Sequence, residues 1–142
     1  MDTPKDAAPS PSPAERARQL LRQLQDSYPV FANYSPLAIG IDKQILTQRP
    51  ETERKLLRLA LGMHTHSTRY LRTFEKATHR FGLDGQQIVE ISDEHRQHAT
   101  EILRERLRKA AERKKALRAA EAEAQRRTEK LSQLVAKFGK DR

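Results

Sequence analysis

Thr65, His66, Ser67, Arg69 and Tyr70 fall within one short stretch, Gly62-Met-His-Thr-His-Ser-Thr-Arg-Tyr-Leu-Arg72, whose residue types suit the grip of an anion. The stretch reads as the end of one helix and the start of the next. Thr65 and Ser67 stand where a new helix would be capped, and Arg69 and Tyr70 fall in its first turn. A helix start leaves backbone N–H groups without intrahelical partners and carries partial positive charge, so it attracts anions. A guanidinium and an aromatic ring at that end add a phosphate contact and a stacking surface for a base or sugar. His66, beside the caps, is placed as a donor to phosphate or sugar. Each residue also has a plainer use. A tyrosine in a first turn packs its ring on the core, and a capping hydroxyl satisfies its own helix.

Further cations surround this stretch: Arg54, Lys55, Arg58, Arg72, Lys76 and Arg80. Arg54 and Arg58, four apart, share a helix face. If two helices and a hairpin pack together, Arg58, Arg69 and Arg80 could converge. The alternative is a solvated basic face. Nothing comparable supports catalysis. His64 and His66 alternate, and His95 and His98 are three apart, but no cysteine exists and no dedicated carboxylate completes a metal set. No Ser-His-Asp order, phosphate-binding glycine loop or paired-carboxylate pattern occurs. We therefore expect no catalytic residue, no metal and no cofactor.

Charge organises the 142 residues. The net charge of +9 favours a polyanionic partner, nucleic acid before an anionic membrane surface. It is unevenly spread: net −1 over residues 1–13, +3 over 14–100 and +7 over 101–142. No apolar run is long enough to span a bilayer, and residues 1–13 lack the apolar segment of a signal peptide, which suggests a cytoplasmic protein.

The elements that would position these residues follow from pattern. Residues 1–13, with four prolines, are expected to be disordered. Apolar or small residues at 14, 17, 20, 21 and 24 predict a helix ending before Tyr28-Pro29. Tyr28–Ile41 reads as irregular to extended, offering Phe31, Tyr34, Leu37, Ile39 and Ile41 to a core, and Asp42 as the cap of a short helix over 43–47. Pro50-Glu51-Thr52-Glu53 predicts a helix start for a helix running to about His64, burying Leu56, Leu57, Ala60, Leu61 and Met63. Asp84-Gly85 between two short apolar segments predicts a hairpin whose turn takes positive φ at both positions. Ser92 then caps a long helix reaching about residue 138. Its 4-3 seam (Leu103, Leu107, Ala110, Lys114, Leu117, Glu121, Ala124, Thr128, Leu131, Val135, Phe138) is interrupted by Lys, Glu and Thr. It thus suits an exposed basic arm better than a stable coiled coil.

Several of these motifs, in this order, resemble the ProQ/FinO family of bacterial RNA chaperones. They are Tyr28-Pro-Val-Phe31, Ser35-Pro-Leu-Ala-Ile-Gly-Ile41, the helix through Leu56–Leu61, Thr65-His-Ser-Thr-Arg-Tyr-Leu71 and Ala77-Thr-His-Arg-Phe-Gly-Leu-Asp-Gly85. The resemblance implies an α+β, mainly helical fold: a ProQ/FinO-like domain over 14–100 with a small β-hairpin, then a basic helical extension over 101–142. It implies binding of structured RNA, such as terminator-type hairpins with a single-stranded 3′ tail, small RNAs and messenger 3′ ends. It also implies promotion of strand exchange or duplexing by a monomeric, non-enzymatic protein. By position, Arg58, Arg69 and Arg80 match arginines of the family's concave face. Tyr70 matches the tyrosine beside the 3′ tail, and Thr65 to Ser67 match the helix-start motif. The chain has Ala38 where many members have lysine, and Gly62 where some have a basic residue. The alternative is a non-specific DNA or duplex binder with a helical oligomerisation tail.

Overall fold

The computed structural model describes residues 9–139. Most of the segment expected to be disordered lies outside them. At its end, Ser12 and Pro13 are already a helix start: the Ser12 hydroxyl accepts the Glu15 N–H at 3.2 Å, and Pro13 occupies the first position, where no N–H is needed. Helix α1 (Pro13–Ser27) buries Ala17, Leu20 and Leu24 on one face. It ends at Tyr28, which precedes a proline and is extended (φ −126°, ψ 120°).

The Tyr28–Ile41 stretch is more ordered than the sequence suggests. Pro29–Ala32 forms a single helical turn, α2, that buries Val30 and Phe31. Tyr34 then adopts the left-handed conformation (φ 54°), turning the chain so that residues 36–38 run parallel to a later strand. Ile39, offered to the core by its hydrophobicity, is instead 84% exposed, while Leu37, Ala38 and Ile41 on either side of it are buried. Helix α3 (Ile41–Gln48) is entered through Gly40 at φ 84°, a value that favours glycine. Asp42 lies inside its first turn, so the cap expected there is not formed.

Helix α4 (Arg54–Thr65) also begins later than the Pro50 signal. Residues 49–52 form a turn, with the Thr52 N–H donating to Arg49 O at 3.1 Å. The turn brings Glu53 to Arg16 at 3.0 Å. Helix α4 buries Leu57, Ala60 and His64, while Leu56, Leu61 and Met63 pack half-buried around the core. Helix α5 (Thr68–Lys76) buries Tyr70, Leu71 and Phe74.

Strands β1 (His79–Phe81) and β2 (Gln87–Glu90) form the antiparallel hairpin, with Arg80 opposite Val89. Of the turn residues only Gly85 has positive φ, at 85°. Asp84 instead accepts the Gln86 N–H on its side chain at 3.2 Å, an Asx-type turn that replaces the expected two-residue geometry. On the other edge of β1, Phe81 N–H donates to Pro36 O at 2.7 Å and Ala38 N–H to Phe81 O at 2.8 Å. This splices the 36–38 segment onto the hairpin. Ser92 Oγ accepts the His95 N–H at 3.3 Å at the start of α6 (Asp93–Gly139).

The fold is thus α+β and mainly helical. Contacts divide the chain after Leu103. The first unit holds the core, with α1 packed on α4 and α2 and Leu24, Phe31, Ile45, Leu57 and His64 fully buried. The second unit, from Arg104, is the remainder of α6. Ion pairs one turn apart, such as Arg108–Glu112 and Arg127–Glu123, support it, and Leu117, Leu131, Val135 and Phe138 are exposed along it. Leu24→Ala, which empties a fully buried site between α1 and its neighbours, should lower unfolding free energy by about 2–5 kcal/mol in urea denaturation.

Candidate functional site

The α4–α5 junction is built by hydroxyls turned inward. Ser67 is the N-cap of α5: its Oγ accepts the Tyr70 N–H at 3.2 Å and donates to His64 O at 2.7 Å. Thr65, expected as a cap, remains within α4 and donates back to Leu61 O at 2.9 Å. Both hydroxyls are therefore already engaged, and the positive end of α5 is what the junction offers to an anion. His66 is exposed, with Nδ1 2.8 Å from Gly62 O. A carbonyl can only accept, so Nδ1 is the donor there and Nε2 is left to face outward chemistry.

Tyr70 corrects the expectation of a stacking surface. It is only 5% exposed, because its ring lies on the core face of α5 between His64 and Phe74, with centroids at 5.4 and 5.9 Å. Its hydroxyl accepts the Leu37 N–H at 3.0 Å. Burial pushes the phenol pKa up, and the Leu37 N–H and the Arg80 charge pull partly the other way. Tyr70 acts on the site by holding Leu37.

Arg80 meets the same residue. Its Nη1 donates to Leu37 O at 3.1 Å, and its guanidinium carbon lies 5.1 Å from the Phe74 ring centroid. Arg69 is exposed and stands 4.6 Å over the Tyr34 ring. Between these two arginines runs a continuous series of rings. Tyr34 stacks on His64 at 4.7 Å, His64 meets Tyr70, and Tyr70 meets Phe74. Arg54 and Arg58 occupy a different position. They line a cleft of about 270 Å³ between α3 and α4, with Lys43, Asp42 and an apolar floor of Leu46, Leu57 and Leu61. Lys55 is exposed on the same helix. Among the described residues, no ion pair engages Arg54, Lys55, Arg58, Arg69 or Arg80. Their charge is thus not neutralised by any of the described carboxylates.

Sequence reasoning missed Tyr34 as the platform for Arg69 and the Leu37 backbone as the anchor of Arg80. Neither carries a sequence signal: one depends on a left-handed residue, the other on a peptide group. No group of three or more His, Cys, Asp or Glu among the described residues could hold a metal ion.

The model of the ProQ/FINO family matches residues 14–116. This chain belongs to the ProQ/FinO family. Among curated proteins it is 38% identical over 107 residues to an RNA chaperone ProQ of Idiomarina loihiensis, covering 72% of this chain and 51% of that protein. It is 35% identical over 109 residues to the RNA chaperone ProQ of Pseudoalteromonas atlantica, covering 72% and 50%. The chain thus spans about half the length of the curated relatives it matches. A crystal structure of a FinO-like RNA chaperone from Neisseria meningitidis MC58 shares the fold, with a TM-score of 0.61 and 23% identity over 72% of this chain and 85% of that one. The ring series and its two arginines lie within the part matched by the ProQ/FinO model.

His64 makes the site's scaffold sensitive to acid. It is 1% exposed, and neither ring nitrogen has a hydrogen-bond partner among the described residues. Burial lowers its pKa from 6.5 to about 4. The folded protein therefore resists a proton that the unfolded chain accepts, so the contribution of neutral His64 is intact above pH 6.5 and is lost as pH falls toward 4. The loss should level off below that at about 3 kcal/mol. Urea denaturation across pH 7 to 4 should show this decline in the native protein and a flatter one in His64→Leu. Equal slopes in the two proteins would exclude His64 as the source.

Proposed function

We propose that this protein binds structured RNA through the first unit and acts as an RNA chaperone. The observation that carries the reading is the pair Arg69 and Arg80, each held on an aromatic ring and, among the described residues, in no ion pair with a carboxylate, with Arg69 in the first turn of α5. An A-form stem presents phosphates and 2′-hydroxyls in a regular shape while hiding its base edges in a deep major groove, so recognition there is by backbone and charge. Arg54, Lys55 and Arg58 supply such contacts from α4. The α5 start, with His66 and Arg69, receives the terminal nucleotides of a single-stranded 3′ tail, and Thr65, Ser67 and Tyr70 hold its shape from beneath. The net charge of +7 over residues 101–142 adds contacts that do not read sequence and that favour strand pairing or exchange. It offsets the neutral residues at Ala38 and Gly62.

The targets in this proposal are terminator-type hairpins, small RNAs and messenger 3′ ends, bound by a monomer in the cytoplasm. The work is binding rather than catalysis. No helix among the described residues is long and apolar enough to cross a membrane. The charge of the second unit also favours a second reading, general binding of any duplex through that helix.

Two measurements separate these readings. A terminator hairpin should bind more tightly with its 3′ uridine tail intact than with the tail removed or ended by a phosphate. Its log affinity should fall with log salt at a slope of roughly −3 to −5. Arg69→Ala should weaken binding and reduce the magnitude of that slope by about 1. Equal affinity for the three RNAs, with no effect of Arg69→Ala, would leave only the general duplex binder.

A further inference from the structure

A shallow groove of about 190 Å³ lies where α5, β1 and the first turns of α6 meet. Leu71 and Phe74 of α5 and Ala99 of α6 give it an apolar floor, and Arg80, His95 and His98 form its polar rim. His95, His98 and Ala99 share one face of α6 because they are three and four residues apart. Both histidines are exposed, and no carboxylate is among the lining residues. Metal chemistry does not fit two imidazoles without a third ligand.

We propose that this groove takes one unpaired nucleotide of RNA, its base against the apolar floor between the two imidazoles and its phosphate on Arg80. Three features favour that occupant. The floor of Leu71, Phe74 and Ala99 is apolar, and burying the face of a base against such a surface does not depend on which base it is. The imidazoles can stack on a base or hydrogen-bond to its edge. Arg80 is held in place by Leu37 O and the Phe74 ring. None of its remaining donors has a protein partner among the described residues, so a phosphate meets a cation already in position. The inference rests on the RNA-binding reading and extends it: the path of the single strand continues from the α5 start past Arg80 onto α6. His95 and His98 are then RNA contacts that residue types at the helix start would not indicate.

The test uses the full chain, the double variant His95→Ala/His98→Ala, and two RNAs, a terminator hairpin with and without its 3′ tail. Both histidines are exposed, so the variant should melt at the native temperature. The expected result is a loss of about fivefold or more in affinity for the tailed RNA with no change for the tail-less hairpin. In addition, 4-thiouridine placed in the tail should crosslink to the peptide containing residues 95–98. An unchanged affinity for the tailed RNA, an equal loss on both RNAs, or crosslinks confined to other peptides would overturn the groove assignment while leaving the RNA-binding reading intact. Failure of the native protein to bind either RNA would instead overturn the functional reading itself, and the groove assignment with it.

Discussion

The peptide groups of Leu37 hold the site together. Its N–H donates to the buried Tyr70 hydroxyl and its C=O accepts from Arg80, while the next residue, Ala38, donates to Phe81 O on β1. Three elements far apart in sequence, the 36–38 segment, α5 and β1, are thereby fixed to one another. A buried N–H without a partner costs about 1–3 kcal/mol, so the segment cannot leave Tyr70 without penalty. The same segment determines where the Arg80 guanidinium stands. Placement of the site's innermost cation is thus a consequence of backbone satisfaction in the core.

The rings extend this logic. His64 at the centre of the domain is neutral and flanked by Phe31, Tyr34 and Tyr70. Tyr34, and Phe74 beyond Tyr70, each carry a guanidinium. Aromatic faces attract cations by about 0.5–2 kcal/mol without neutralising them. The arrangement therefore orders Arg69 and Arg80 without neutralising their charge. A carboxylate partner would order them equally well but would neutralise them. In the second unit the opposite choice is made at several positions, where Arg108 and Arg127 are paired with glutamates along the helix. Those pairs support the helix.

Much of the architecture was legible because local signals and burial agreed. The 3–4 spacing of Ala17, Leu20 and Leu24, the Ser92 cap and the absence of Gly and Pro over residues 86–138 each reappear as helices α1 and α6. Signals failed where a turn or a tertiary contact overrode them. Pro50 sits in a turn because the chain must reverse between α3 and α4, Asp42 yields its capping place to a left-handed Gly40, and Asp84-Gly85 forms a longer turn held by the Asp84 side chain. Thr65 looked like a cap and instead bonds backward within its own helix, since Ser67 already occupies the N-cap position of α5.

The chain's composition and patterning alone determined that this is a basic, mainly helical domain with a hairpin and a charged helical extension, because charge and hydrophobic period are local properties. The motifs in order were enough to indicate the ProQ/FinO family. Only the tertiary structure decided which side of Tyr70 faces the core, that Tyr34 carries Arg69, and that Leu37 anchors Arg80. Those outcomes depend on a peptide group and a left-handed residue meeting side chains 33 to 43 positions away, and no local preference encodes such a meeting.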